Sequence, residues 1–176
     1  MSEPLVRPIV LDAIVLSNFA STDSVTWLTT TLEDLQTVPA VRTELENGRE
    51  AGYAYLNHAR AVLETGEIGV VETAPEQLQQ DHPEIENRLD PGEAEALVAA
   101  HIAGGTLVTD DGTARTLAVD YDVALTGSIG LLVRGVVRGE LPVETADEWL
   151  TTWVEERNYY APVDSVTAAL PDDVDE

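Results

Sequence analysis

Residues 89–111 read LDPGEAEALVAAHIAGGTLVTDD, and this stretch decides the fold class. Asp90 followed by Pro91 is a strong helix start, because aspartate caps the free N–H groups and proline fits the first helical position. The helix is predicted to stop at the glycine pair 104–105, and TLVT (106–109) follows as a buried strand. A helix that leads directly into an apolar strand is typical of an α/β unit.

The same alternation recurs along the chain. Further strands are predicted at 8–11, 68–72 and 123–126, and helices at 13–20, 21–35 and 110–120. A helix is predicted to begin at Pro39, and its apolar period allows it to continue as far as residue 64. We therefore expect a three-layer α/β/α fold around a central, mostly parallel sheet. We expect one domain over residues 1–160 and an acidic C-terminal tail over 161–176.

Acidic residues follow two of these strands. Asp12 comes directly after the first, and Asp110 and Asp111 after TLVT. Ligands of open α/β sheets bind beyond the carboxyl ends of the strands, so these acids are expected to meet at one edge. Nearby helices add the candidates Glu44, Glu93 and Glu95. Such a carboxylate group suits Mg²⁺ or Mn²⁺, which prefer oxygen ligands.

Each of these residues also has a plainer interpretation. Asp12 could cap a helix or form a salt bridge, and Asp110 and Asp111 could be an N-cap pair. Glu44 and Glu95 could be ordinary solvent-facing glutamates. Beyond the acids, Arg134 and Arg138 could pair with nearby carboxylates. Trp149 and Trp153 are expected to pack a helix onto the core or onto a partner subunit.

The charge balance is extreme. The chain has 33 acidic residues against nine basic ones, all arginine, and a net charge of −24. Concentrated salt screens such self-repulsion, so we predict a halophilic, archaeal-type cytoplasm as the setting. There is no cysteine, which excludes thiolate chemistry. No signal peptide or apolar run long enough for a membrane span is recognisable.

Three segments resemble the PIN-like domain family. They are VLDAIVLSNFA (10–20), VPAVRTELENG (38–48) and the region from LDPGEAEAL to VVRGEL (89–141). The last is the most specific, with its Gly-Glu-x-Glu helix, Thr-Asp-Asp strand end and Thr-Gly-Ser-x-Gly-Leu helix start. The resemblance covers residues 8–141.

The resemblance implies a site and an activity. Asp12, Glu44, Glu95 and Asp111 would be the catalytic, metal-binding acids, with Asp110 and Glu93 as substitutes. Many members have aspartate where Glu95 stands. The implied reaction is Mg²⁺- or Mn²⁺-dependent hydrolysis of RNA.

The resemblance also implies substrate contacts and partners. Phosphate contacts are expected from Thr109, Arg115, Ser128 and Arg134, with Ser128 at a helix N-terminus. Many such proteins are toxins of toxin–antitoxin pairs, so RNA, an antitoxin and a second copy of the chain are the expected partners. The alternative is a nucleic-acid-binding or regulatory protein with weak catalysis. A phosphatase is disfavoured because it would need an Asp-x-Asp-x-(Thr/Val) motif, and DAIVL lacks the second aspartate.

Overall fold

The computed structural model describes residues 4–171, which contain a five-stranded parallel sheet in the order β3-β2-β1-β4-β5. The strands are β1 (Ile9–Leu11), β2 (Leu35–Thr37), β3 (Gly69–Val70), β4 (Thr106–Val108) and β5 (Ala124–Thr126). Helices follow the strands and cover both faces of the sheet, which confirms the predicted three-layer α/β/α architecture.

The N-terminal half of the chain carries six helices. They are α1 (Ala13–Ser21), α2 (Val25–Thr31), α3 (Pro39–Glu50), α4 (Leu56–Thr65), α5 (Ala74–Asp81) and α6 (Pro83–Glu86). The second half carries α7 (Pro91–Ala103), α8 (Gly112–Asp120), α9 (Ser128–Val137), α10 (Val143–Arg157) and α11 (Val166–Ala169). No helix within residues 4–171 is both long enough and apolar enough to cross a membrane.

Strand β1 lies at the centre of the sheet, between β2 and β4. All three of its residues are buried, as a strand covered by helices on both faces requires. In β1 and β4, Leu11 is paired with Val108. The two strands therefore end at the same edge, which places Asp12 beside Thr109.

An aromatic cluster packs α10 against α1 and α2 near the start of the chain. The ring of Phe19 in α1 stacks on Trp27 at 6.0 Å between centroids and meets the edge of the fully buried Trp153 at 5.0 Å. Trp149 packs against the same two rings, Phe19 and Trp27. The prediction that Trp149 and Trp153 pack onto the core is confirmed.

Two local predictions were wrong. The stretch 21–35 is not helical to its end, because the helix stops at Thr31 and Leu35 begins strand β2. Asp34 has a positive φ of 57°, which breaks the helical path. The helix from Pro39 ends at Glu50, because Gly52 turns the chain with a φ of 110° before α4 begins.

The domain boundary at residue 160 stays a prediction. Residues 161–171 lie against the domain: Val166 is buried, and its N–H donates to Oδ1 of Asp147 in α10 at 2.6 Å. Residues 172–176, which hold four of the five acidic residues of the predicted tail, lie outside the described part of the chain.

Candidate active site

Asp12 sits at the junction of β1 and α1 and is only 3% exposed. Its Oδ1 accepts a hydrogen bond from the N–H of Val15 at 3.0 Å, so it caps α1. Its Oδ2 accepts a hydrogen bond from the hydroxyl of Thr109, at the end of β4. Burial is the main reason that the pKa of Asp12 is raised to about 7, and the negative charges of Asp110 and Asp90 add to it.

Asp111 begins α8 in the same way. Its Oδ2 accepts a hydrogen bond from the N–H of Ala114 at 2.9 Å, and its own N–H donates to the hydroxyl of Thr109 at 3.2 Å. Asp12 and Asp111 are therefore both helix caps, and Thr109 connects them. The cap interpretation is correct, and it leaves both acids at the edge of the sheet where a ligand would bind.

Glu93 brings a third acid to this edge from the start of α7. It forms a reciprocal capping box with Asp90: the N–H of Glu93 donates to Oδ1 of Asp90 at 2.9 Å, and Oε1 of Glu93 accepts from the N–H of Asp90 at 3.3 Å. The pKa of Glu93 is raised to about 7, first by burial and then by the charges of Asp90, Asp111 and Asp12. Those charges place Glu93 within electrostatic reach of the other two acids.

A cavity of about 280 Å³ opens where these three acids meet. The C-terminal segment that follows α10 forms its opposite wall. The lining residues are Asp12, Ile14, Asn18, Glu93, Asp110, Asp111, Arg157, Asn158, Tyr159 and Tyr160. We call this space the acidic cavity.

The structure separates the other two predicted glutamates from this cavity. Glu95 is buried and its Oε1 accepts a hydrogen bond from the N–H of Ala40 at 2.9 Å, which ties α7 to the first turn of α3. Glu44 lies against Gly92: a Cβ atom added to Gly92 would stand 2.6 Å from Oε1 of Glu44. Glu44 also lines a neighbouring cavity. Burial, followed by the charges of Asp90 and Glu95, raises the pKa of Glu44.

Asp110 also lines the acidic cavity, where it has a structural role. It accepts hydrogen bonds from the N–H of Ser128 at 2.8 Å and from the hydroxyl of Ser128 at 2.6 Å, so it fixes the start of α9. Arg115 donates to the carbonyl oxygen of Thr109 at 2.9 Å and lines an adjoining cavity with Asp110.

Arg134 is held away from this edge. Its Nη1 lies 3.8 Å from Glu140, which Arg138 also contacts at 3.1 Å, so the predicted pairing of both arginines with acids is confirmed. Arg134 lines neither the acidic cavity nor the adjoining cavity around Arg115.

The family of the chain follows from its similarity to known protein families. A family described as the PIN domain matches residues 8–172. The chain belongs to the PIN domain family. PIN domains are generally nucleases that bind nucleic acid and usually use divalent metal ions. No curated protein matches the chain with significant similarity.

The C-terminal segment of this PIN domain lines the acidic cavity, which the sequence did not predict. Arg157 donates from Nε to Oδ1 of Asn18 at 2.9 Å and from Nη1 to the hydroxyl of Tyr55 at 2.5 Å. Asn18 donates in turn to the hydroxyl of Ser128 at 3.1 Å. The run RNYY (157–160) in an arginine-poor chain was the available signal, but only the fold shows that it faces Asp12.

The acidic cavity has the donor chemistry that a divalent metal ion requires. Asp12, Glu93 and Asp111 are hard oxygen donors, and a cation would offset both the burial and the neighbouring negative charges that raise the pKa values of Asp12 and Glu93. As placed, no three acidic or histidine side chains of residues 4–171 are close enough together to hold a metal ion. Glu93 is turned toward the N–H of Asp90 instead. The residues fit a metal ion in donor type, and all three line the same cavity.

Proposed function

We propose that this PIN domain is a Mg²⁺- or Mn²⁺-dependent nuclease that hydrolyses phosphodiester bonds of RNA. The observation that carries the proposal is the convergence of Asp12, Glu93 and Asp111 on one cavity beyond the carboxyl ends of β1 and β4. In this proposal Glu93 replaces Glu95 as the third acid, because Glu93 lines the acidic cavity and Glu95 does not.

The proposed metal ligands are Asp12, Asp111 and Glu93. A bound divalent ion supplies an acidified water and offsets negative charge on the phosphate. Thr109 orients Asp12 through its hydroxyl, and Asp110 holds Ser128 at the start of α9. Glu44 is the fourth acid of the implied set, and we assign it to the outer rim of the site because it lines the neighbouring cavity.

Positive charge for the substrate comes from the two arginines at the site. Arg115 and Arg157 both donate to uncharged oxygens, so neither guanidinium is neutralised by a carboxylate among the described residues. This matters because a domain with a net charge of −24 repels RNA at long range. In the salt-rich cytoplasm that we propose as its setting, that repulsion is screened to a few ångströms.

A toxin role is the finer form of this proposal. It rests on the family resemblance and implies an antitoxin that covers the acidic cavity, together with a homodimer. A small neighbouring reading frame with a DNA-binding motif would support it. Size-exclusion chromatography in concentrated KCl tests the homodimer directly.

RNA cleavage in concentrated KCl tests the proposal. Wild type with Mn²⁺ should cut single-stranded RNA, and EDTA should stop it. Asp111→Asn keeps a side chain that can cap α8 but removes a negative charge. It should lower the cleavage rate at least about 100-fold, because a residue that only supports a metal ligand costs at most about that much when it is changed. Asp120→Asn, at the exposed end of the same helix, is the matched control. Intact RNA with wild type, or full activity in Asp111→Asn, would contradict the proposal.

A second candidate is a PIN domain that binds nucleic acid without cutting it. The observation in its favour is that both oxygens of Asp12 already accept hydrogen bonds and that Glu93 is turned toward Asp90. RNA binding in EDTA together with no cleavage in Mg²⁺ or Mn²⁺ would favour this candidate over the nuclease.

A further inference from the structure

A second cavity, of about 400 Å³, adjoins the acidic cavity. The two share Ile14, Arg157 and Asn158 in their walls, so they lie side by side in one cleft with Arg157 between them. Tyr53 and Tyr55 line the far side, with their rings 5.9 Å apart at an angle of 61°. We call this second space the tyrosine cavity.

Exposed apolar side chains gather along this cleft. Ile14 is 53% exposed, Tyr53 is 56% exposed and Tyr160 is 86% exposed. They are three of the seven large apolar side chains found exposed in residues 4–171. Apolar rings left in water beside a polar site are typical of a surface that receives a flat ligand.

Arg157 adds a positive charge to the junction of the two cavities. Six of the nine arginines form ion pairs within the described chain, and Arg157 is one of the three that do not. Its guanidinium lies 5.6 Å from the centre of the Tyr55 ring and bonds only uncharged oxygens. In so acidic a chain, an arginine without a carboxylate partner is well placed to bind an anion.

We infer that the tyrosine cavity receives an unstacked base of single-stranded nucleic acid, while Arg157 binds the phosphate between that base and the acidic cavity. The inference rests on the proposed nuclease function and adds a base-binding subsite beside the acidic cavity. Aromatic side chains stack on any base, and single strands are the form in which bases are free to leave their neighbours.

The charges of the tyrosine cavity indicate which part of the nucleotide it would hold. Glu44 and Glu156 also line it and repel a phosphate, whereas their carboxylates can accept hydrogen bonds from base amino groups. The base therefore lies between the tyrosines and these glutamates, and the phosphate lies at Arg157. A duplex cannot enter in this way, because its bases are stacked and paired.

Equilibrium binding to a labelled RNA strand tests the inference without relying on activity. The protein carries Asp111→Asn in every case, so that the strand stays intact in Mg²⁺, and binding is followed by fluorescence anisotropy in concentrated KCl. The probes are a single strand of about 12 nucleotides, within the range of known binding sites, and a duplex of the same length. The single strand should bind more tightly than the duplex.

Substitutions at Tyr53 separate stacking from other effects. Tyr53→Ala should raise the Kd for the single strand about tenfold, the usual order for loss of one stacked base, whereas Tyr53→Phe keeps the ring and should stay within about twofold. Val119→Ala removes an equally exposed apolar side chain outside the cleft and should have no effect. Because Tyr53 is exposed, loss of folding is not expected, and a thermal melt checks it.

Substitutions at Arg157 test the phosphate contact. Arg157→Gln should raise the Kd about tenfold and lower the slope of log Kd against log salt by about 0.7, the value for one phosphate contact on a single strand. Arg157→Lys should restore the slope, whereas Arg7→Gln, at an exposed ion pair far along the chain, should leave it unchanged. A merely structural Arg157 would change the melting temperature but not the salt slope.

The outcomes distinguish this inference from the proposed function. If wild type cuts RNA with Mn²⁺ but Tyr53→Ala and Arg157→Gln bind the single strand normally, the base site is wrong and the nuclease stands. If single strand and duplex bind equally well, the substrate class is wrong. If the protein binds no RNA and cuts none, the base site and the nuclease function both fail.

Discussion

The hydroxyl of Thr109 donates a hydrogen bond to Asp12 and accepts one from the N–H of Asp111. Thr109 thereby connects the ends of the two central strands, β1 and β4, and holds two acids of the candidate site in register. Thr109 itself is only 1% exposed, so no water replaces these bonds if the hydroxyl is removed.

We predict that Thr109→Val lowers the free energy of unfolding by about 1–3 kcal/mol, because it leaves a buried carboxylate and a backbone N–H without their partner. Urea denaturation in concentrated KCl measures the change. Thr109→Ser keeps the hydroxyl and should lose much less. Equal stability of the valine and serine variants would show that the hydroxyl is unimportant.

The raised pKa of Asp12 predicts a dependence of stability on pH. Since the fold raises this pKa from 3.8 to about 7, it favours the protonated form. The contribution of Asp12 to stability is therefore fully present below about pH 4 and is lost as the pH rises through about 7. The loss is on the order of 2–4 kcal/mol for metal-free protein.

Asp12→Asn isolates this effect from the many other carboxylates of the chain. Between pH 4 and 7 the variant should become progressively more stable than wild type, because asparagine does not ionise whereas the buried Asp12 does. Urea denaturation in EDTA across this range gives the values. A constant difference over the whole range would contradict the raised pKa.

The contacts of Asp110 predict a structural defect and not a loss of metal binding. Asp110→Ala removes both acceptors of Ser128 and should lower the unfolding free energy by about 2–3 kcal/mol, with Mn²⁺ affinity changed by less than about threefold. Asp110→Asn keeps one acceptor and should be milder. Paired urea denaturation and Mn²⁺ titration check this, and a loss of Mn²⁺ binding at full stability would make Asp110 a ligand instead.

The net charge of −24 predicts a strong dependence on salt. Raising KCl from about 0.1 M to about 2 M shortens the screening length from about 10 Å to a few ångströms and weakens the self-repulsion of the folded domain. The melting temperature should rise by about 10 °C or more. Sucrose of equal osmolality, which does not screen charge, serves as the control. A melting temperature that is flat or falls with KCl would contradict the halophilic interpretation.

The features that sequence reasoning found are those fixed by local chemistry. Asp12 and Asp111 follow apolar strands, and Asp90 with Pro91 begins α7 as its N-terminal signature indicates. Strand β2 was not predicted, because its three residues, Leu35–Thr37, are too few to show an alternating hydrophobic pattern. The strand depends on pairing with β1.

The choice between Glu93 and Glu95 could not be made from the sequence. The two glutamates lie two positions apart on α7, so they point about 200° apart around the helix, and only the packing of α3 shows which one faces the sheet edge. Arg157 was missed for a similar reason, since nothing local links residue 157 to Asn18 or Tyr55. Both the orientation of Glu93 and the position of Arg157 depend on packing between segments far apart in the sequence.

The central claim is that Asp12, Glu93 and Asp111 form one cation site. Calorimetric titration of Mn²⁺ into wild type, Glu93→Gln and Glu95→Gln in concentrated KCl tests it most directly. We predict that wild type binds Mn²⁺ at millimolar concentration or below, that Glu93→Gln weakens binding at least about tenfold, and that Glu95→Gln retains the affinity. Loss of Mn²⁺ binding in Glu95→Gln with full binding in Glu93→Gln, or no binding by wild type, would contradict the claim.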